Sequence, residues 1–403
     1  MNIPYLATGI KLIIGILLVG GAYYVVNQSN FDYLFIPNLF LLIGLALLFE
    51  GFFLLVCSLS KRLAKRKTSV VGRTRATFIV LFIADLIIRL TGIMQTYSEE
   101  IDGNYFSIAK QEKLDSWYWL HTPNTVINNR REEYEFKRNV NSLGLSEREI
   151  HTEKGTKFRV LAIGDSFTEG VGVDYNDVWV KQMETRWKSH NVQSINAGIG
   201  GSDPVFEFAL YRDKMTAYKP DLVVLTINST DLVDIAGRGG FDRFHADGTA
   251  GKEPPSWEWV YASNHLFRMI MHAAFNYNPK LIRNAKSPEN QHKSVKIIEE
   301  AITKFRKLTK KEGSELLVVL QPSLREFENG KHTPFFGQAE LAQFLETEAI
   351  HYVDASVEFK KKGKSVAVYY YPLDAHFNKK GYALFGETIC KKIEELGLLK
   401  QIT

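Results

Sequence analysis

The sequence predicts an α/β domain with a parallel sheet, preceded by a helical membrane region. Apolar residues are concentrated in three long stretches before residue 97. From Phe158 onward, short apolar runs alternate with amphipathic segments of helical length, which is typical of βαβ units with helices on both faces of a sheet. Residues 98–157, polar with scattered aromatics, form an extracytoplasmic lead-in between the two regions.

The three apolar stretches predict three membrane-spanning helices, so we interpret residues 1–97 as a membrane anchor. The predicted spans are about Tyr5–Val26, Tyr33–Leu59 and Ala76–Met94. Each is close to the ~20 residues that a helix needs to cross the hydrocarbon core. A secretory signal peptide is the alternative for the first stretch, but no clear small-residue cleavage site is present and a second stretch follows closely.

Charge predicts the orientation of these helices. The segment 61–75 contains seven Lys and Arg, whereas 27–32 contains none. Cytoplasmic loops are enriched in Lys and Arg, so the basic segment is expected inside and everything after the third span outside the cytoplasm. A nucleic-acid patch is the alternative, which the position between two spans disfavours. Only nine of the 50 Lys and Arg and three of the 45 Asp and Glu precede residue 98, so the remainder is nearly neutral and no nucleic-acid partner is expected.

Three ionisable residues lie within the predicted spans: Glu50, Asp85 and Arg89. Such residues in a membrane are costly and raise the hypothesis of an ion or substrate path. Asp85 and Arg89 are four residues apart, share a helix face and are expected to neutralise each other. Glu50 has no obvious partner in its own helix. Because three spans are few for a transporter, an anchor is the favoured interpretation.

The region 158–403 predicts five strands with helices between them. The strands are Phe158–Ile163, Val192–Asn196, Asp221–Ile227, Glu315–Leu320 and Ile350–Val353, and the helices lie near 177–188, 205–218, 294–312, 338–347 and 381–396. An insertion at about 232–293 is rich in Gly, Pro and aromatic residues. Connections after the carboxyl ends of parallel strands carry ligand sites, so we expect the insertion to help build a substrate pocket.

A candidate nucleophile follows the first strand. Ser166 stands in Gly-Asp-Ser-Phe-Thr-Glu-Gly, where its hydroxyl can project into the crevice above the sheet. Its N–H lies near the start of the next helix, where backbone donors and the helix dipole favour an anion. A helix-capping serine is the alternative. The pattern differs from the G-x-S-x-G elbow of α/β-hydrolases.

A candidate base and acid lie before the last helix. His376 has a side chain whose pKa suits proton transfer near neutral pH. Asp374 can accept a hydrogen bond from the other ring nitrogen and hold the tautomer. Together with Ser166 these residues predict a Ser-His-Asp arrangement at the mouth of the sheet.

Four motifs together resemble the SGNH/GDSL hydrolase superfamily over about 158–396. They are GDSFTEG after the first strand, NAGIGG after the second, a polar cluster ending in Asp231 after the third, and D-x-H-x-N-x-x-G near the end. The resemblance implies a flavodoxin-like three-layer αβα fold and an esterase, lipase, carbohydrate deacetylase or O-acetyltransferase activity. It implies that Ser166 is the nucleophile, His376 the base, Asp374 the orienting acid, and the N–H of Gly201 a donor in the oxyanion hole.

The third motif departs from the family pattern. Members usually have Gly-x-Asn-Asp, whose Asn side chain completes the oxyanion hole, whereas this chain has Asn228-Ser229-Thr230-Asp231. Either Asn228 or the hydroxyl of Thr230 is expected to replace the donor, with Asn228 favoured. Losing one such donor typically costs about 2.7–4 kcal/mol of transition-state stabilisation. Asp-x-His, in place of the Asp-x-x-His of many members, is a milder departure.

Other polar residues are expected to have structural roles. Asp203 is expected to cap the following helix and Asp165 to brace the nucleophile loop. Arg238 is expected to pair with Asp231 or Asp234, with an anionic substrate group as the alternative. His245, His265 and His272 are interpreted as surface or packing residues. With two cysteines and no carboxylate array at metal-ligand spacing, no metal and no cofactor are expected.

The sequence therefore predicts a multi-pass cell-membrane protein with an extracytoplasmic serine esterase domain. Its expected substrates are acyl esters of cell-envelope polysaccharide or lipid, cleaved through an acyl-enzyme. One alternative is an O-acetyltransferase that works with an acyl-donor partner in the membrane. Another is a non-catalytic envelope protein of the same fold, which the altered third motif favours and the intact Ser166, Asp374 and His376 disfavour.

Overall fold

The structure is a computed structural model. It describes residues 3–28, 35–94, 112–113, 120–244, 249–250, 255–275, 277, 286–328 and 331–399. The chain divides into two compact units, an N-terminal helical unit with residues 1–103, 107–110 and 253–283, and an α/β unit with residues 104–106, 111–252 and 284–403. Part of the predicted insertion therefore belongs with the N-terminal helices, and most of the lead-in belongs with the sheet.

The described residues form helices and strands in alternation. The helices are α1 Ile3–Gln28, α2 Phe35–Leu59, α3 Lys61–Ala64, α4 Lys67–Thr91, α5 Ser166–Glu169, α6 Trp179–Arg186, α7 Pro204–Leu210, α8 Ser229–Arg238, α9 Glu258–Ser263, α10 His265–Phe275, α11 Pro288–Glu312, α12 Gln338–Thr347, α13 Ser356–Lys360 and α14 Lys379–Glu395. The strands are β1 Glu112–Lys113, β2 Val126–Arg130, β3 Glu135–Asn139, β4 Phe158–Gly164, β5 Val192–Gly198, β6 Leu222–Ile227, β7 Thr249–Ala250, β8 Glu315–Leu320, β9 Phe327–Glu328, β10 Lys331–His332 and β11 His351–Asp354.

The N-terminal unit has two helices that are long and apolar enough to cross a membrane. By length and composition these are Leu6–Val26 in α1 and Ile36–Leu59 in α2. The predicted third span is not confirmed, because among the described helices only these two meet the criterion. The apolar part of α4 begins directly after Arg75 and carries Asp85 and Arg89, and charged side chains oppose insertion into hydrocarbon.

Glu50 finds its partners on other helices of this unit. Its carboxylate contacts the ammonium of Lys11 in α1. Arg75 of α4 donates to it through Nε at 2.7 Å and through a second guanidinium nitrogen at 3.2 Å. The side chain of Glu50 is only 2% exposed, so these two cations neutralise a charge that would otherwise be buried alone.

Asp85 takes part in a second polar cluster of the N-terminal unit. It interacts with the charge of Arg89, as their spacing predicts. It also accepts hydrogen bonds from Nδ2 of Asn38 at 2.6 Å and from the backbone N–H of Leu266 at 3.0 Å. These contacts join α4 to α2 and α10, which supports a structural role for this carboxylate.

The α/β unit contains the predicted five-stranded parallel sheet. The strand order is β5-β4-β6-β8-β11. Counted from β4 along the chain this is the order 2-1-3-4-5 of flavodoxin-like folds. Every residue of β4, β5 and β6 is buried. Strands that are apolar and buried along their whole length require cover on both faces.

Helices cover the two faces of this sheet. On one face, Trp179 of α6 and Phe385 of α14 pack in a core with Val160, Val224 and Val319 of the strands. Successive strand residues point to opposite faces, so their neighbours in sequence face the other layer. On that side α7, α8 and α11 contact one another.

Two predicted helices have different bounds. The helix expected from residue 294 begins at Pro288, because Ser287 caps it by accepting the N–H of Asn290. The helix expected over 205–218 is α-helical only to Leu210 and continues as a π-helical turn over Tyr211–Met215.

Asp203 combines a helix cap with a buried ion cluster. As predicted, its Oδ1 accepts the N–H groups of Val205 and Phe206 at the start of α7. Arg243 contacts the same carboxylate at 2.5 Å and Arg238 at 3.1 Å. Burial alone would raise the pKa of Asp203, but the charges of Arg243 and Arg238 lower it to about 2.

Arg238 also has the pairing that the sequence predicts. A second guanidinium nitrogen lies 3.4 Å from Oδ1 of Asp234, one turn earlier in α8. The guanidinium is therefore held between two carboxylates, and its side chain is only 4% exposed.

The Asp203 cluster should be a major source of stability. Asp203→Asn keeps an oxygen that can cap α7 but removes the charge that faces two buried arginines. Breaking a buried ion pair in this way typically costs about 3–5 kcal/mol. Because its pKa is lowered, Asp203 contributes stability above its unfolded pKa, and this contribution is lost as pH falls toward 2. Denaturant unfolding near neutral pH measures the loss. Asp213→Asn, which breaks an exposed pair with Arg212, is the control and should change stability little. Equal stabilities of the two variants would contradict this account.

Candidate active site

The nucleophile candidate lies in a short turn after β4. Asp165 is the N-cap of α5, since its side chain accepts the N–H of Phe167 at 3.0 Å. Ser166 is the first residue of that helix. The interpretation of Ser166 as a capping residue is therefore wrong, and its hydroxyl is available for other contacts.

Two glycines allow this turn to approach its neighbours closely. A Cβ on Gly164 would lie 1.9 Å from Oγ1 of Thr226, in β6. A Cβ on Gly198 would lie 2.1 Å from the backbone nitrogen of Glu169, in α5. Any side chain at these positions would push the turn away from the ends of both adjacent strands.

The structure brings Ser166, His376 and Asp374 together. Nε2 of His376 is 2.8 Å from Oγ of Ser166. Nδ1 of the same ring is hydrogen-bonded to Oδ1 of Asp374. The Phe167 ring packs on the imidazole with 4.6 Å between ring centroids. This is the order of contacts in which an acid orients a base and the base reaches a nucleophile.

The Asp374 loop is held by residues of the hairpin β2–β3. The hydroxyl of Tyr134 donates to Oδ2 of Asp374 at 2.9 Å. The carboxylate of Glu133 accepts the backbone N–H groups of Leu373 at 2.9 Å and Asp374 at 2.7 Å. The hydrogen bond from His376, and then the one from Tyr134, lower the pKa of Asp374 against the opposing effect of burial. The acid is thereby kept ionised.

Sequence reasoning missed both supporting residues. Tyr134 and Glu133 lie about 240 positions before the residues they contact. In the sequence they are an aromatic and an acid in a polar lead-in, which carries no signal of contact with the loop at 374. Only the folded hairpin shows their role.

Two backbone N–H groups are candidates for the oxyanion hole. Among the described residues, no hydrogen-bond acceptor is found for the N–H of Ser166 or of Gly201. Gly201 lies in a turn closed by the N–H of Ser202 and the carbonyl of Ile199, at 3.0 Å. A Cβ on the preceding Gly200 would be 4.0 Å from Cβ of Ser166, so this turn runs beside the nucleophile.

Asn228 and Thr230 both reach the cavity that contains Ser166. Asn228 is the N-cap of α8, because its Oδ1 accepts the N–H of Thr230 at 2.8 Å. Its Nδ2 donates to Asp165 at 2.8 Å. An amide nitrogen carries two hydrogens, so one bond does not exhaust Nδ2 as a donor. The hydroxyl of Thr230 donates to Oδ1 of Asn228 at 2.7 Å.

The cavity has a volume of about 760 Å³ and is built mainly by the hairpin region. Its lining residues outside the motifs include His121, Ile127, Asn129, Arg131, Tyr134, Phe136, Ser323, Leu324 and Arg325. The expectation that the insertion builds the pocket is wrong for the residues described, since Asp234 is the only one of 232–293 in this lining. Much of the described insertion belongs instead to the helical unit.

The other candidate histidines lie away from this cavity. His265 is buried in the helical unit, and His272 contacts the hydroxyl of Tyr261 at 2.8 Å in the same unit. His245 lies outside the described residues. Within the described part of the chain, no group of three or more His, Cys, Asp or Glu is arranged to hold a metal.

A flavodoxin-like sheet with a Ser-His-Asp arrangement at its carboxyl edge is the architecture of a serine hydrolase. The chain matches the GDSL-like lipase/acylhydrolase family over residues 162–384, more than half of its length. It belongs to this family, and the resemblance drawn from the four motifs is confirmed.

Solved structures with the same fold are distant in sequence. A two-domain esterase active on acetylated mannans is 16% identical, with 60% of this chain and 50% of that chain covered and a TM-score of 0.38. A GDSL-like lipase from Bacteroides thetaiotaomicron is 15% identical, with 61% and 93% covered and a TM-score of 0.35. A lipolytic G-D-S-L family member from Veillonella parvula is 14% identical, with 59% and 97% covered and a TM-score of 0.34. The match spans about half the length of the mannan esterase, and no curated protein matches the chain.

The hydroxyl of Tyr134 should support turnover. Tyr134→Phe removes the hydrogen bond to Asp374 and keeps the ring. We expect kcat/KM for p-nitrophenyl acetate to fall about tenfold, since a hydrogen bond to a charged group contributes about 1.5–3 kcal/mol. Tyr371→Phe is the matched control, because that hydroxyl donates to the carbonyl of Gly172 and its ring packs on Tyr134. Equal losses in the two variants would show that Tyr134 acts only through packing.

Proposed function

We propose that this protein is an esterase that hydrolyses acyl esters through an acyl-enzyme on Ser166. The observation that carries the proposal is the 2.8 Å contact between Oγ of Ser166 and Nε2 of His376, with Asp374 bonded to the other ring nitrogen. A hydroxyl is a weak nucleophile until an adjacent base accepts its proton. An imidazole held in one tautomer by a carboxylate is suited to that task.

The reaction follows from these contacts. Oγ of Ser166 attacks the ester carbonyl carbon while Nε2 of His376 takes the hydroxyl proton. The negative charge that develops on the carbonyl oxygen is stabilised by the N–H groups of Ser166 and Gly201. His376 then gives its proton to the leaving alcohol, and the acyl group remains on Ser166. Water, deprotonated by His376, attacks the acyl-enzyme and releases the carboxylic acid.

The cavity supports an acylated carbohydrate as the substrate class. Its volume of about 760 Å³ falls within the roughly 300–1,000 Å³ of ligand pockets. Polar side chains of Asn129, Arg131, Ser323 and Arg325 can bond hydroxyl groups, and the rings of Tyr134 and Phe136 offer apolar surface. A lipid chain would favour a more apolar lining. Transfer of the acyl group to a sugar hydroxyl, with an acyl-donor partner in the membrane, shares the first half-reaction and is distinguished by its product.

Anchoring of this esterase to a membrane is supported by the apolar helices α1 and α2. The charge pattern around 61–75 supports a cytoplasmic position for that segment. Two crossings would then return the chain to the cytoplasm, so an extracytoplasmic α/β unit requires a further crossing. An alkaline phosphatase fused after Thr403 tests this proposal. Activity of that fusion supports an extracytoplasmic enzyme, and an inactive fusion beside an active cytoplasmic reporter contradicts it.

Loss of the Ser166 hydroxyl should abolish turnover. We expect Ser166→Ala to lower kcat for acetyl esters by about 10⁴-fold or more without loss of folding, as removal of a triad nucleophile does. Ser229→Ala is the matched control, since Ser229 is a second serine in the cavity lining and has no contact with His376 among those described. The release of acetate from acetylated oligosaccharides and from p-nitrophenyl acetate measures both variants. Undiminished release by Ser166→Ala would refute the proposed mechanism.

The amide of Asn228 should complete the oxyanion hole. Asn228→Ser keeps an oxygen that caps α8 but removes the amide donor, so stability should change little. We expect kcat to fall by about a hundredfold, the typical cost of one lost donor. Thr230→Ala, the comparison, should have a much smaller effect. A large loss in Thr230→Ala with an active Asn228→Ser would transfer the role to the threonine hydroxyl, and two active variants would leave only backbone donors.

A further inference from the structure

Glu169 links the nucleophile turn to the turn after β5. It ends α5, three residues after Ser166, and is only 4% exposed. Its Oε2 accepts the backbone N–H of Gly200 at 2.7 Å. Its Oε1 lies 2.9 Å from Nε2 of His121. One carboxylate therefore joins α5, the loop after β5 and the segment before β2.

The carboxylate holds a turn whose conformation decides where an N–H points. The turn runs from Ile199 to Ser202, and its third residue, Gly201, has φ of 74°. A positive φ at this position is typical of type II turns, in which the peptide between the two central residues is flipped relative to type I. That peptide carries the N–H of Gly201. The hydrogen bond from Gly200 to Glu169 fixes the peptide immediately before it.

The charge of Glu169 strengthens this hydrogen bond. Burial alone would raise the pKa of Glu169, but the hydrogen bond and charge of His121 lower it, with smaller contributions from Arg138 and the Gly200 N–H. A guanidinium nitrogen of Arg138 lies 3.7 Å from Oε1. Hydrogen bonds to an ionised acceptor are shorter and stronger than neutral ones. His121 and Arg138 also offset a negative charge that would otherwise oppose an oxyanion nearby.

We propose that Glu169 is a positioning residue for the oxyanion hole and that His121 holds it in place. Glu169 fixes the 199–202 turn in the conformation that directs the Gly201 N–H toward the reacting carbonyl. This inference rests on the proposed esterase function and adds two residues to its machinery. Neither residue exchanges a proton with the substrate. Both act through the backbone of Gly200 and Gly201.

The test compares two buried glutamates in the full-length protein. Glu169→Met removes the acceptor and keeps the chain length, and Glu169→Gln keeps an acceptor oxygen without the charge. Glu147→Met is the matched control. Glu147 is also buried, lies 2.5 Å from Nζ of Lys181, and accepts a backbone N–H, that of Asn196 at 2.8 Å. It does not line the cavity.

Kinetics should separate positioning from stability. We expect Glu169→Met to lower kcat about tenfold to a hundredfold with KM nearly unchanged, because a misplaced donor affects the transition state more than the bound ester. Binding of a trifluoromethyl ketone, which forms an oxyanion on Ser166, should weaken by the same factor. Glu169→Gln should recover most of the activity. Glu147→Met should lower the unfolding temperature but leave kcat and KM unchanged below it.

His121 is tested in the same way. His121→Gln keeps a nitrogen donor that can face Glu169, whereas His121→Ala removes it. We expect His121→Ala to lose about tenfold in kcat, and His121→Gln to retain most of it, since only the donor is required. Equal losses in both variants would show that the imidazole has a different role.

The outcomes distinguish this inference from the proposed function. If Ser166→Ala abolishes turnover while Glu169→Met has normal kcat, the esterase stands and the positioning role is refuted. A crystal structure of Glu169→Gln and Glu169→Met gives a readout that does not depend on turnover. We expect the Gly201 φ to leave the left-handed region in the Met variant alone, and an unchanged turn there would overturn the inference. If the Met variant does not fold, Glu169→Asp withdraws the carboxylate from Gly200 and takes its place in each measurement.

Discussion

The candidate site depends on the close approach of the turn after β4 to the neighbouring strands. Gly164 and Gly198 leave no room for a Cβ, with backbone or side-chain atoms of Thr226 and Glu169 about 2 Å from where one would lie. Such contacts are closer than a packed interior allows for any other residue. Because of them, Ser166 emerges between β5 and β6, and the donors that follow both strands lie in one cavity with it.

The remaining parts of the site are attached to this turn by polar contacts from distant segments. The hairpin β2–β3 supplies Tyr134 and Glu133, which hold the loop of Asp374. The segment before it supplies His121, which reaches Glu169. Residues that precede the sheet in sequence are thus part of the cavity wall, so the catalytic unit extends beyond the five strands and their helices. An isolated domain that begins at β4 would lack the supports of both the acid and the oxyanion turn.

The sequence predicted the features that residue type and local pattern determine. Uninterrupted apolar runs such as Leu222–Ile227 indicate buried parallel strands, and the Gly-Asp-Ser and Asp-x-His motifs identified the residues that converge. It did not predict Tyr134, His121 or Glu169, because their roles depend on backbone approaches between segments far apart in the chain. Composition also overstated the third span, since Asp85 and Arg89 interrupt the apolar part of α4. Asn228 was expected as an oxyanion donor, and the structure adds that it caps α8, which the residues before a helix can indicate when an Asp follows three positions later.

The central claim is that His376 activates Ser166 as a nucleophile, and covalent labelling tests it most directly. The full-length protein is treated with a fluorophosphonate, digested, and the modified peptide is identified by mass spectrometry. The account predicts a single adduct on Ser166 that forms rapidly in the wild type and is lost or greatly slowed in His376→Ala. An adduct on another serine, or labelling of Ser166 at the same rate without His376, would contradict it.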